Sequence, residues 1–355
     1  MSQNSKHFNL HWQRFDHYWL AVFARQGEIP AELKQALEAL GMRNIKPDSM
    51  AIKVPRQWKN AWDMIHHTLQ NGPWKGQVEA AIMPSDGDEM LELMAMDRRP
   101  VEAVQQIAES LWLGDALINN QLLCYLQPVM SGRGKLFGFE SFARVKLADC
   151  SVIGGEKIIA ASKALNIEYM IDRHLHIEAI KTYAASKFSG FLFVNFFPGF
   201  ILRPAIYLEG LSDTARSYGM VAKNLVLDFT KSETQRDMAH LRSVCEYGRS
   251  KGYSLALDDI ESLESARKLL PEVRPDYVKI DRQLVQEVGK EASRAIIREI
   301  VELAHGMGAS VIGEGVESEE VFNQLNALGV DLFQGYYFSP PVPVEEILRN
   351  IAKAG

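Results

Sequence analysis

From about residue 106 onward the chain repeats one grammar: apolar runs of strand length alternate with amphipathic segments of helix length. The runs lie at 121–130, 136–146, 191–197, 224–230, 253–259, 277–281, 310–316 and 332–335, with helices expected at 168–186, 236–250, 292–305 and 319–328 among others. Apolar strands spaced by helices bury both faces of a parallel sheet, and eight such units have the size of a closed (β/α)8 barrel. One link breaks the rule. Only residues 131–135 separate the first two runs, too few for a crossover helix, so these two strands have to run antiparallel. The expectation is an α/β fold, a TIM-like barrel with one reversed strand, in a domain covering 106–355.

Residues 1–105 read as a separate, smaller α+β domain. Trp12, Phe15, Trp19 and Val22 recur at helical spacing and predict an opening helix. Pro30 at a first helical position, Leu33, Leu37 and Leu40 on one face, and Gly41 at the C-terminal cap predict a second. A strand at 51–54 and a helix at 56–70 follow, the helix turning Trp58, Trp62, Ile65 and Leu69 to one side. Segments 77–83 and 90–96 flank Asp86-Gly87, the spacing of a hairpin. Residues 62–91 resemble the C-terminal half of a PAS sensor domain, which implies a regulatory or interaction role for this part, with a signal or protein partner.

Barrel enzymes place their chemistry at the C-terminal ends of strands. The polar residues there are Glu140, Asn195, Asp228, Asp258, Asp259, Lys279, Glu314, Glu317 and Gln334. Six carboxylates on one rim repel one another unless a compensating charge is present. Oxygen ligands without Cys or His select hard cations, so Mg²⁺ or Mn²⁺ is expected. Asp281 follows a strand and is read as a cap for what comes next.

The net charge of −6 has the wrong sign for an unassisted hold on nucleic acid or an anionic membrane. No stretch approaches 18 consecutive apolar residues, and the first residues lack the apolar core of a signal peptide, so a cytoplasmic protein is expected. Cys124, Cys150 and Cys245 are odd in number and far apart, and each is read as a small core residue.

Over roughly 106–350 these runs resemble the EAL domain family, the cyclic di-GMP phosphodiesterases. The resemblance is carried by GFESFAR around Glu140, VNFFP around Asn195, PDYVKIDR around Lys279, VIGEGVE with Glu314 and Glu317, and GVDLFQGYYFSPPVP around Gln334. It implies hydrolysis of cyclic di-GMP to linear pGpG with two Mg²⁺ or Mn²⁺ ions. By the same resemblance Glu140, Asn195, Asp228 and Asp258 hold one ion, and Asp258, Asp259 and Glu314 the other. Lys279 positions or activates water, Glu317 and Gln334 support the site, and Gln127 and Arg144 contact the dinucleotide. A homodimer is also implied.

The chain departs from the family pattern in four places. Ser141 and Phe142 stand in the name motif for Ala and Leu. Asp228 replaces a Glu and is one methylene shorter. DDIESLESAR replaces a glycine-rich loop after the paired aspartates, which predicts an early helix, and Lys231 replaces an anchoring Glu. These changes keep a second reading open: an EAL-type receptor that binds cyclic di-GMP with little or no cleavage, or a regulatory, partner-binding module that has lost the nucleotide.

Overall fold

The computed structural model describes residues 17–55, 58–85, 98–147, 149–188, 190–201, 203–230 and 238–354. They group into two compact units, one reaching Gln121 and including 156–168, the other made of 122–155 and 169–355. The helix Val101–Ile118 groups with the N-terminal unit.

The N-terminal unit opens on a strand, β1 (His17–Ala24), where a helix was expected; Trp12 and Phe15 lie outside the described residues. The physical reason is that Tyr18 to Ala24 are all apolar and all buried, and β1 pairs with strands on both sides, β3 (Ser49–Pro55) and β4 (Val78–Ser85). A central strand hides both faces, so spaced aromatics that mimic a helical stripe are part of a continuous run. Helix α1 (Ala31–Ala39) starts just after Pro30, buries Leu33 and Leu37, and is followed by Gly41 at φ +84°. Helix α2 (Lys59–Asn71) buries Trp62, Ile65 and Leu69, and Trp62 Nε1 donates to Gln105 Oε1 of α3 (Val101–Ile118) at 2.8 Å.

With β2 (Arg43–Lys46) and β5 (Arg99–Pro100) the sheet order is β2-β3-β1-β4-β5, antiparallel throughout. Its βαββαβ core is a ferredoxin-like split β-α-β. This order, not a PAS-like one, is what the described residues form. The expected second arm of the 77–96 hairpin and its Asp86-Gly87 turn lie outside them.

In the second unit the strands are β6 (Leu122–Ser131), β7 (Leu136–Lys146), β8 (Val152–Gly154), β9 (Phe191–Asn195), β10 (Leu225–Thr230), β11 (Ser254–Ile260), β12 (Tyr277–Ile280), β13 (Ser310–Gly313) and β14 (Leu332–Phe333). Pairing runs β7-β9-β10-β11-β12-β13-β14-β6 and closes through β6–β7, with β8 added outside β7. The reversed strand is β6, antiparallel to both β7 and β14, while the remaining barrel pairs are parallel.

Inside the barrel one apolar layer is built from Val129, Phe193, Val226, Ala256, Tyr277, Ile312 and Leu332, with Phe137 and Phe191 packed against it. Phe137 stacks on Phe191 with centroids 4.7 Å apart. Cys124 and Cys245 are buried as expected, whereas Cys150 is exposed: it closes a turn, its N–H donating to the Leu147 carbonyl, at φ +67°.

Candidate active site at the barrel mouth

Side chains alternate along a strand, so two residues beyond each inward-facing apolar residue the next inward layer begins. Stepping by two from Phe193, Val226, Ala256, Tyr277, Ile312 and Leu332 gives Asn195, Asp228, Asp258, Lys279, Glu314 and Gln334. On the reversed strand the step runs backwards, from Val129 to Gln127, which pairs in register with Glu140 of β7. Closing the sheet therefore gathers side chains from positions 127 to 334 into one polar layer.

Lys279 lies at its centre, 1% exposed. Its Nζ is 2.7 Å from Glu314 Oε1, 2.8 Å from Asp228 Oδ2, 3.0 Å from Glu140 Oε2 and 3.4 Å from Asp258 Oδ2. Burial opposes the ammonium, but Asp228, Asp258, Glu140 and Glu314 together outweigh it and hold the lysine well above its ordinary pKa. Burial pushes Asp228 well above the usual carboxylate range against the pull of Lys279, and burial with Asp258 beside it does the same to Glu314. Four carboxylates facing one ammonium leave the layer short of positive charge, which protons or cations have to supply.

A hydrogen-bonded chain braces one side. Gln334 Nε2 donates to Glu140 Oε2 and to Gln127 Oε1, both at 2.8 Å, and Gln127 Nε2 donates to the Ser339 carbonyl at 2.9 Å. Leu126 and Val342 exchange backbone hydrogen bonds, which ties the segment carrying Ser339 to β6. Asn195 Nδ2 reaches Glu140 Oε1 at 3.3 Å.

Two adjacent aspartates on a regular strand would face opposite sides. Here the β11–β12 register slips between Leu257 and Ile260, and Asp259 takes a left-handed φ of +59°, a conformation that Asp tolerates better than most residues. Carboxylate oxygens of Asp258, Asp259 and Glu314 consequently lie within 4.8 Å of one another. Partial burial and the neighbouring Asp258 push the Asp259 carboxyl up to about 6. The next helix, Leu263–Val273, starts early, as the altered loop predicts, with Ser262 Oγ accepting from Ser265 N at 3.2 Å.

The donor set fits hard dications. It is all oxygen, three carboxylates already converge, and the buried Asp228 Oδ1 has no hydrogen-bond partner among the described residues, so a lone pair is left for a cation.

Not every expected residue joins this layer. Glu317 is 46% exposed at its side chain and pairs with Arg282 at 2.5 Å and Gln286 at 3.0 Å. Gly315, at φ +64°, turns the chain between it and Glu314. Arg144 Nη1 donates to the Ala143 carbonyl, and its guanidinium lies over the rings of Tyr125 and Phe142 at 5.5 and 5.8 Å. Lys231 lies outside the described residues. Asp281 caps the Arg282–Gln286 helix, accepting from Gln283 N. Sequence reasoning missed the bulge at Asp258-Asp259, which no local motif announces, and a buried Asp172–Tyr207–His176 cluster. The only sequence signal for the latter was the i, i+4 spacing of Asp172 and His176.

The EAL domain family model matches residues 111–341. "Probable cyclic di-GMP phosphodiesterase PdeI" of Escherichia coli is 26% identical over 86% of the chain, and the chain spans 38% of that protein's length. "Cyclic di-GMP phosphodiesterase PdeL" of the same organism is 27% identical, with 68% of each covered. A solved standalone EAL protein from Vibrio cholerae, in its c-di-GMP bound form, is 26% identical over 63% of this chain and 93% of that one, with a TM-score of 0.55. Among the described residues no helix is long and apolar enough to cross a membrane.

Proposed function

The chain belongs to the EAL domain family, and from that membership we propose that its barrel mouth hydrolyses cyclic di-GMP to linear pGpG with two Mg²⁺ or Mn²⁺ ions. The observation that carries this reading is the layer around Lys279: four carboxylates, one ammonium and the unpartnered Asp228 Oδ1. The names of PdeI and PdeL and the ligand of the Vibrio cholerae protein support it.

Glu140, Asn195, Asp228 and Asp258 would hold one ion, and Asp258, Asp259 and Glu314 the other. Bound ions supply Lewis acidity and neutralise charge on the phosphodiester as water attacks phosphorus. Lys279 stays protonated among its carboxylates, so it orients the attacking water by donating N–H and does not remove a proton from it. Gln334 and Gln127 hold Glu140 in place. Arg144 offers its guanidinium to a phosphate and keeps Tyr125 and Phe142 beside it. Glu317 acts through Arg282, which follows Lys279 by three residues, and so steadies the segment behind the lysine. The setting we assign is the cytoplasm, with the chain as a homodimer and a signal or protein partner at the N-terminal unit.

The test is cyclic di-GMP incubated with the purified protein and Mn²⁺ and followed by chromatography. Accumulation of pGpG that a Glu140→Ala variant abolishes supports hydrolysis. A nucleotide pool that binds but stays uncut sinks it and favours a receptor, the reading to which the shorter Asp228 arm and the altered 260–266 loop point.

A further inference from the structure

The Asp172–Tyr207–His176 cluster lies outside the polar layer but touches it at one atom. All three side chains are buried: Asp172 and His176 at 3% exposure and Tyr207 at 6%. His176 Nε2 lies 2.9 Å from the Asn195 carbonyl oxygen, its Nδ1 lies 2.6 Å from the Tyr207 hydroxyl oxygen, and that oxygen lies 2.5 Å from Asp172 Oδ2. Phe196 stacks on the imidazole at 5.6 Å.

The protons can be counted from these contacts. A carbonyl only accepts, so Nε2 carries a proton. The single hydroxyl proton of Tyr207 faces two acceptors, Nδ1 and the carboxylate. One more proton therefore sits either on Asp172 or on Nδ1, and in both arrangements the three groups are neutral as a set. A buried polar group with that balance costs little to keep, and its direction is fixed: the imidazole N–H points at Asn195.

Asn195 is the last residue of β9, where the ladder runs out. Its neighbour Phe196 donates to the Asp228 carbonyl at 2.8 Å, so the strand end is held on one side by β10 and on the other by His176. We propose that His176, braced by Tyr207 and Asp172, is a positioning residue that fixes the Asn195 side chain at the mouth as a metal ligand. This rests on the hydrolase reading for the assignment of Asn195. Supports one shell out from a ligand typically change metal affinity or activity about 10–100-fold.

The experiment uses the full chain, freed of metal, titrated with Mn²⁺ alone and read by the electron paramagnetic resonance of free Mn²⁺. His176→Gln places an amide N–H near the Nε2 position, and His176→Asn places one near Nδ1 instead. The expected result is Mn²⁺ binding within about threefold of the parent for Gln and about tenfold or more weaker for Asn, with Tyr207→Phe weakened as well. Equal affinity of the Gln and Asn variants overturns the proposal, because a packing role would not distinguish them. If one of them fails to fold, Tyr207→Phe decides: unchanged Mn²⁺ affinity overturns the proposal and weakened affinity upholds it. A parent protein that binds no Mn²⁺ brings down the hydrolase reading and this inference together, whereas a parent that binds with indifferent variants brings down this inference alone.

Discussion

Lys279 Nζ and Asp228 Oδ2 lie 2.8 Å apart, and neither side chain meets solvent, at 1% and 0% exposure. A buried pair of this kind is weak support for stability as a pair, but removing one member strands the other. Lys279→Met should destabilise the metal-free protein by about 3–5 kcal/mol. Mn²⁺ should restore part of the loss, since the stranded carboxylates gain a counter-charge. Denaturant unfolding with and without Mn²⁺ checks this; a loss below about 1 kcal/mol would mean that the carboxylates already carry their own protons.

The pH dependence has a defined sign. Asp259 sits at about 6 in the folded chain against an ordinary 3.8, and Asp228 and Glu314 are raised in the same direction. The folded state thus binds protons more tightly than the unfolded state. That contribution is fully present below pH 4 and is lost as pH rises through about 6. In chelator, stability should fall across this window and Asp259→Asn should flatten the slope. Mn²⁺ affinity should rise over the same window as the carboxylates ionise. A metal-free stability that climbs from pH 4 to 6 contradicts the assignment.

Gly335 follows Gln334 and lies against the backbone of Val316, where an added Cβ would come 2.1 Å from the carbonyl oxygen. Backbone cannot swing aside as a side chain does. Gly335→Ala should cost about 1–3 kcal/mol or more and loosen Gln334 from Glu140, lowering turnover. Gly289, where an added Cβ would meet none of the described residues within 4 Å, serves as the neutral control. Equal melting temperatures for the two alanine variants would refute the close-approach argument.

Ser262 caps the helix that follows the paired aspartates. Ser262→Ala should cost about 1 kcal/mol, and Ser262→Gly only a few tenths. Thermal unfolding of both variants tests it. If alanine is no worse than glycine, the hydroxyl is not what starts this helix.

The closed barrel, its reversed strand and nearly every member of the polar layer were legible in the sequence, because strand alternation and the five-residue link at 131–135 are local properties that survive any packing. The N-terminal unit was less legible: Trp19 and Val22 fit a helical stripe as well as a continuous strand, and only pairing with β3 and β4 decided between them. Three things at the mouth belonged to the tertiary structure alone. The bulge that turns Asp258 and Asp259 the same way depends on β12 beside them, Glu317 faces Arg282 because Gly315 turns the chain, and His176 reaches Asn195 from a helix nineteen residues earlier. Sequence period states which residues share a face. Which atoms then meet across that face is set by closure of the sheet and by the few backbone angles that depart from the period.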